Sequence, residues 1–171
     1  MNKQNIYDLL KAKNIKHEIT EHCALFSMKD TADVVFPYPE AEAKNLFVRD
    51  DKKRNYYLIT VRGDKRVDLK AFRKKFGLRA LSFASTADLE DKLQLIPGSV
   101  SPFGLLNDKS CSVIWYVDEE FTTVSHMIGI HPNDNTATVW FDPQDLIQII
   151  RTHGNTIEMI NLNDCLIKEE I

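Results

Sequence analysis

Residues 43–61 read Ala43-Lys44-Asn45-Leu46-Phe47-Val48-Arg49-Asp50-Asp51-Lys52-Lys53-Arg54-Asn55-Tyr56-Tyr57-Leu58-Ile59-Thr60-Val61. Two apolar-rich runs, Ala43–Arg49 and Tyr56–Val61, flank the polar turn Asp50–Asn55. Strand-forming runs on either side of a turn predict a β-hairpin. On a two-residue period Lys44, Leu46 and Val48 share one face, and Asn45 and Phe47 share the other. A lysine on an apolar face either snorkels along its stem to water or is held in a pocket, and buried lysine is rare.

Outward from this hairpin the chain alternates short strands with short helices. On the N-terminal side, Asn2 is placed to cap a helix running to Lys13, with Ile6, Leu9 and Leu10 on one face. His17–Glu21 reads as a strand, Ser27 as the cap of a helix to about Val34, and Pro37 and Pro39 as breakers of regular structure. On the C-terminal side, Asp68 caps Leu69–Phe76 and Gly77 ends it. Ala80–Ala84 reads as a strand, and Thr86 as the cap of a helix to about Gln94, with Glu90 four positions on. Ser112–Val117, Thr122–Ile130 and Thr136–Phe141 have strand composition, the last two flanking the turn Pro132-Asn133-Asp134-Asn135. Asp142-Pro143 starts a helix to His153, which Gly154 stops. Thr156–Leu162 is a final strand and Asn163–Ile171 a frayed tail. Strands outnumber helices and several pair as hairpins, so the expected class is α+β with a mixed, curved sheet. No repeat, linker or low-complexity segment divides residues 1–171, which fit one domain.

No apolar run reaches membrane-spanning length, and Met1–Asn5 lacks the apolar core of a signal peptide. A cytoplasmic location is the expectation, with no membrane partner. The three cysteines, Cys23, Cys111 and Cys165, show no zinc-ligand spacing and are expected as reduced, partly buried thiols. Net charge is −3, yet it is unevenly spread. Residues 44–79 carry 13 Lys/Arg against 4 Asp/Glu, whereas residues 80–171 carry 4 against 14. Such a basic block is either a phosphate-binding face or a solvated helix-and-hairpin surface.

No nucleophile elbow, zinc-protease motif, Walker loop or dinucleotide fingerprint is present. Three features remain. One is Lys44-Asn45 in the hairpin. The second is His131-Pro132-x-x-Asn135, which reads as a hydrogen-bonded turn or a site. The third is Ile96-Pro97-Gly98-Ser99-Val100-Ser101-Pro102-Phe103-Gly104-Leu105-Leu106-Asn107-Asp108. Its Pro-Gly pair marks a turn, and glycine lets a backbone amide come close to a ligand. The loop is an ordinary surface turn or a rigid cradle for an oxyanion. Together the three suit a polar ester or carbonyl better than a metal or redox cofactor.

These same residues resemble the YbaK/ProX superfamily, free-standing relatives of the editing domain of bacterial prolyl-tRNA synthetases. The resemblance rests on Lys44-Asn45-Leu46-Phe47, Tyr57-Leu58-Ile59, the Gly98–Leu105 loop and His131–Asn135, in that order, and spans about residues 1–162. The ProX type is the nearer subgroup. The resemblance implies a barrel-like mixed sheet flanked by helices, and hydrolysis of alanine from mischarged proline tRNA without cofactor or metal. It assigns Lys44, Gly98 and Ser99 to catalysis, and Asn45, Ser101, His131 and Asn135 to substrate binding. Water would be aligned by the tRNA's own ribose hydroxyl. The implied partner is the acceptor end of proline tRNA, with transient contact to prolyl-tRNA synthetase or an elongation factor. Competing readings are a Cys- or Ser-specific deacylase of the YbaK type, a non-catalytic RNA-binding module of the same fold, and an unrelated small-molecule esterase.

Overall fold

The computed structural model describes residues 1–26 and 34–167. The hairpin forms as expected: β1 (His17–Glu21) is followed by β2 (Ala43–Asp50) and β3 (Tyr56–Arg62), and the last two pair antiparallel with Leu46 opposite Ile59. Asp50 holds the turn between them. Its carboxylate accepts the amides of Lys52 and Arg54 at 3.1 and 2.9 Å and the side-chain amide of Asn55 at 2.6 Å. Three backbone and side-chain donors are thereby satisfied locally, which an isolated polar turn could leave to water.

Among the described residues, four α-helices and five more strands surround the hairpin. Helix α1 (Lys3–Ala12) starts at Asn2, whose side chain and that of Asn5 each accept the other's backbone amide at 3.0 Å. Helix α2 (Leu69–Lys75) is capped by Asp68, and α4 (Pro143–His153) by Asp142 with proline in its first turn. Helix α3 (Thr86–Leu93) begins one residue earlier than the sequence reading. Ser85 is the cap, and Asp88, not Glu90, completes the reciprocal box.

The remaining strands are β4 (Leu81–Phe83), β5 (Val113–Asp118), β6 (Ile128–Ile130), β7 (Ala137–Phe141) and β8 (Ile157–Ile160). They form two sheets, β4-β2-β3-β5-β8 and β1-β7-β6. In the larger sheet β3-β5 and β5-β8 are parallel and the other neighbours antiparallel, so the sheet is mixed as expected. It is not closed into a barrel. The two sheets meet through the lone bridge Glu42–Gly129. Glu42 follows the tight turn Pro39–Ala41, and a proline-led turn cannot continue a ladder along β6.

Two further expectations change. Thr122–Ile130 is not one strand. Residues 121–125 form a wide helical turn, His126 takes a left-handed conformation (φ 50°), and pairing resumes at Ile128. The hydroxyls of Thr122 and Thr123 donate back to the Glu119 carbonyl at 2.9 and 3.0 Å. Local side-chain bonds of this kind compete with strand formation. The tail does not fray at Asn163: Cys165 is fully buried, its carbonyl accepts the Asp68 amide at 2.7 Å, and the Ile167 amide reaches Arg66. Residues 168–171 and most of the expected Ser27–Val34 helix lie outside the described residues. The cysteines are free, with Cys23 exposed, Cys111 half-buried and Cys165 buried.

The larger sheet separates two apolar clusters. One face of it packs with α1, α3, α4 and the smaller sheet around Trp115, Phe103, Phe121 and Phe141. The other packs against α2 around Phe72 and Tyr116. Trp115 and Thr60 are both completely buried. The indole N–H donates to Thr60 Oγ1 at 2.8 Å, and that hydroxyl donates to Asn45 Oδ1 at 2.7 Å. A buried polar group without such a partner would be costly, so this relay fixes the Asn45 side chain from inside the core.

Candidate active site

Where the two sheets meet, a cavity of about 270 Å³ opens. One wall is residues 42–45 leading into β2, a second is Gly98 and Val100, and a third is Gly129 and Ile130 on β6 with His131 just beyond its end. Leu25, Phe26 and Thr138 complete it. Lys44, Asn45, Gly98 and His131 are therefore brought together from three separate parts of the sequence.

Asn45 is held at both ends. Its oxygen accepts from Thr60, and its Nδ2 donates to the Val100 carbonyl at 3.2 Å. It ties the Gly/Pro loop to β2. Lys44 lines the same wall, but its ammonium donates to the carbonyl of Lys65. Burial, and secondarily Arg66, hold its pKa below the usual lysine value, against the pull of Asp64. To meet a ligand Lys44 must give up the Lys65 carbonyl.

The loop divides into scaffold and free amides. Ser99 is 2% exposed, and its own amide and hydroxyl both donate to the Ile96 carbonyl, at 3.1 and 2.8 Å. Ser101 is fully buried and accepts the Phe103 amide at 3.2 Å, capping the short helical turn Pro102–Asn107. Neither serine lines the cavity. Among the described residues no group accepts the amides of Gly98 or Val100, and both residues line the cavity. Gly98 sits at φ +89°, and a Cβ there would lie 3.2 Å from the Phe26 ring and 3.3 Å from Asn135 Nδ2. Only glycine takes that conformation freely.

Asn135 stands behind the wall. Its Nδ2 donates to the Leu25 carbonyl and its own carbonyl accepts the Leu25 amide, both at 3.0 Å. This two-point clamp places Leu25 and Phe26. His131 is half-buried, with Nδ1 2.9 Å from the Ala137 carbonyl. A carbonyl can only accept, so Nδ1 carries the proton and Nε2 keeps its lone pair. Burial, outweighing that hydrogen bond, lowers the ring's pKa, and His22 adds to the lowering. The His22 ring lies 5.9 Å from that of His131, and its Nε2 contacts Thr138 Oγ1 at 3.0 Å.

Two wall residues escape the sequence reading. Gly129 faces the Trp140 ring, where a Cβ would come within 2.1 Å of Cζ3. A lone glycine in an apolar strand is a signal for such close approach. Glu42 has no sequence signal. It is half-buried, lines the cavity and forms no ion pair or side-chain hydrogen bond among the described residues. Burial raises its pKa. Part of the basic block is engaged in ion pairs: Arg49 with Asp88, Arg62 with Asp64, Lys65 with Asp118 and Glu120, Lys75 with Asp164, and Arg79 with Asp51. Arg66 and Lys44 make no ion pair among the described residues. No three His, Cys, Asp or Glu side chains of the described residues come together as a metal-holding group.

A mixed two-sheet domain with a small, amide-bearing cavity at the sheet junction defines a class, and the comparisons identify it. The family model for the aminoacyl-tRNA editing domain matches residues 22–149, and the chain belongs to that family. It is 36% identical over 160 residues to the prolyl-tRNA editing protein ProX of Acetoanaerobium sticklandii, covering 94% of this chain and 97% of the relative. It is 29% identical over 157 residues to the prolyl-tRNA synthetase associated domain-containing protein 1 of Bos taurus, covering 90% and 91%. The crystal structure of a candidate trans-editing enzyme for prolyl tRNA synthetase superposes with a TM-score of 0.67 at 20% identity, covering 92% of this chain and 94% of that one. That likeness establishes the shared fold.

Proposed function

We propose that this protein is a trans-editing aminoacyl-tRNA deacylase that removes alanine from mischarged proline tRNA. The observation that carries the reading is the pair of amides, Gly98 and Val100, with no acceptor among the described residues, on a glycine-dependent loop lining the cavity. In ester hydrolysis, water adds to the carbonyl carbon and the carbonyl oxygen gains negative charge. The carbon–oxygen bond to ribose then breaks, and the ribose oxygen leaves as a hydroxyl. Fixed donors aimed at the developing charge lower that barrier without reorganising.

In this scheme Gly98 and Val100 supply the donors, and Lys44 supplies a cation once it leaves the Lys65 carbonyl. Ser99, Ser101 and Asn45 hold the loop in register with β2. Asn135 holds the Leu25–Phe26 wall. His131 bounds the amino-acid pocket, as a neutral ring at neutral pH. The family resemblance gives the alignment of water to the adjacent ribose hydroxyl. A pocket built for proline cannot strongly reject a smaller apolar amino acid, since one methylene is worth about 1–3 kcal/mol. A second, smaller cavity solves this by excluding proline sterically.

The test is deacylation of proline tRNA charged with alanine, cysteine, serine or proline. Alanine should be released fastest and proline spared. Faster release of cysteine or serine would move the chain to the YbaK-type specificity, and no release of any would leave it a binding module.

A further inference from the structure

Beside the cavity runs a groove of about 490 Å³ that the scheme above does not use. It exists because β4 stops at Phe83. The Ala84 amide makes one more bond, to the Phe47 carbonyl at 3.0 Å, and the chain then turns into α3. The edge of β2 at Asn45 and Leu46 is thereby left uncovered and floors the groove. Phe83 stands on its rim, 63% exposed. The groove opens into the cavity, because Phe26, Asn45, Gly98 and Val100 line both.

We infer that this groove seats the terminal adenine of the tRNA acceptor end, with Phe83 as its stacking platform. The inference rests on the deacylase reading. The scissile carbonyl is bonded directly to the terminal ribose, so the attached base must lie immediately outside whatever holds the amino acid. At about 270 Å³ the cavity lies just under the usual span of ligand sites, about 300 to 1,000 Å³. The groove that continues from it offers the further space a nucleoside needs. No charged side chain lines the groove among the described residues. That suits an uncharged base and not a phosphate. An exposed ring is the surface on which proteins stack unpaired bases, and Phe83 has no core role that would otherwise account for it.

The probe is the 3′-alanylamide analogue of adenosine, which cannot be hydrolysed, together with the same compound lacking the base. Binding to wild type, Phe83→Ala, Phe83→Leu and Phe83→Tyr is measured by calorimetry, with hydrolysis of alanyl-tRNA and sedimentation run in parallel. Phe83→Ala should weaken binding of the adenine compound by about 5- to 150-fold, the span of base–aromatic stacking, and leave the baseless compound unaffected. Phe83→Tyr should retain affinity and Phe83→Leu should lose it, which separates the ring from mere apolar area. Equal binding of both compounds, or equal loss of both in Phe83→Ala, overturns the inference. So does a wild-type dimer that Phe83→Ala dissociates without touching analogue binding, since the groove would then join two copies. Normal hydrolysis with no Phe83 effect sinks the groove alone. A wild-type chain that neither hydrolyses alanyl-tRNA nor binds the analogue sinks the deacylase reading itself.

Discussion

Replacing Gly129 by alanine tests how the cavity wall is built. The new Cβ would fall 2.1, 2.4 and 2.7 Å from three atoms of the Trp140 ring. Carbon atoms pack at about 3.5–4.0 Å, so the indole must retreat by more than an ångström. It has nowhere easy to go: Trp140 is 1% exposed, its Nε1 donates to Thr20 Oγ1 at 2.9 Å, and the rings of Phe36 and Tyr38 lie at 5.4 and 5.8 Å. Overpacking costs about 1–3 kcal/mol, and loss of the indole hydrogen bond adds about 0.5–1.5 kcal/mol. A loss of roughly 2–4 kcal/mol follows, which for a chain of this length lowers Tm by roughly 5–15 °C. Gly129 does not have a positive φ, so its backbone accepts alanine without strain. In a Trp140→Ala background the clash is gone, and Gly129→Ala should become neutral or stabilise by about 0.4–1 kcal/mol through the unfolded chain. Calorimetry on all four members of this cycle is the assay. An equal loss in both backgrounds, or a loss under about 0.5 kcal/mol in the wild type, would refute the account of the wall.

Lys44→Ala should lower the deacylation rate by roughly 100-fold, the scale of losing one electrostatic donor, with the fold retained. Near-normal turnover would assign the residue to its bond with Lys65 alone. His131→Ala should narrow the ratio of alanine to proline release, whereas an unchanged ratio with a lowered Tm would make His131 only the support of the turn. Glu42→Gln should raise Tm at neutral pH. Burial raises the folded-state pKa of Glu42, so its charge costs stability above that pKa and costs nothing once the group is protonated in both states. The gain should therefore shrink as pH falls through the raised pKa toward the usual glutamate value and vanish below it, and a gain that is the same at every pH would show that charge is not its source.

The parts legible in the sequence are those whose cause is local. Asn2, Asp68 and Asp142 cap their helices, and Asp50–Asn55 turns its hairpin, because the side chain that stops or starts the element lies within a few residues of it. Lys44, Asn45, Gly98 and His131 were singled out by residue type, and the fold brings them to one cavity. What stayed hidden depends on partners distant in sequence. Ser99 and Ser101 look like ligand donors until the loop closes and turns both hydroxyls onto its own backbone. The strand reading at Thr122–Ile130 failed because composition does not reveal hydroxyls bonding back to Glu119. Nor does a count over residues 44–79 show that Asp88, Asp118 and Glu120, far along the chain, fold against part of the basic block and offset some of its charge.

The pairing of β1 with β7 bears on how the protein comes into being. Thr20 and Trp140 are bonded partners 120 positions apart, and among the described residues strand β1 has no neighbour other than β7. On a ribosome the first strand therefore waits, unpaired, while most of the chain is made. Ordering contacts so remote in sequence slows folding and leaves a strand edge open to other chains meanwhile. The cavity needs residues from both sheets, so it is absent from any early intermediate that contains only the hairpin of β2 and β3. Activity should thus emerge late in refolding, after the larger sheet has formed and together with burial of Trp140.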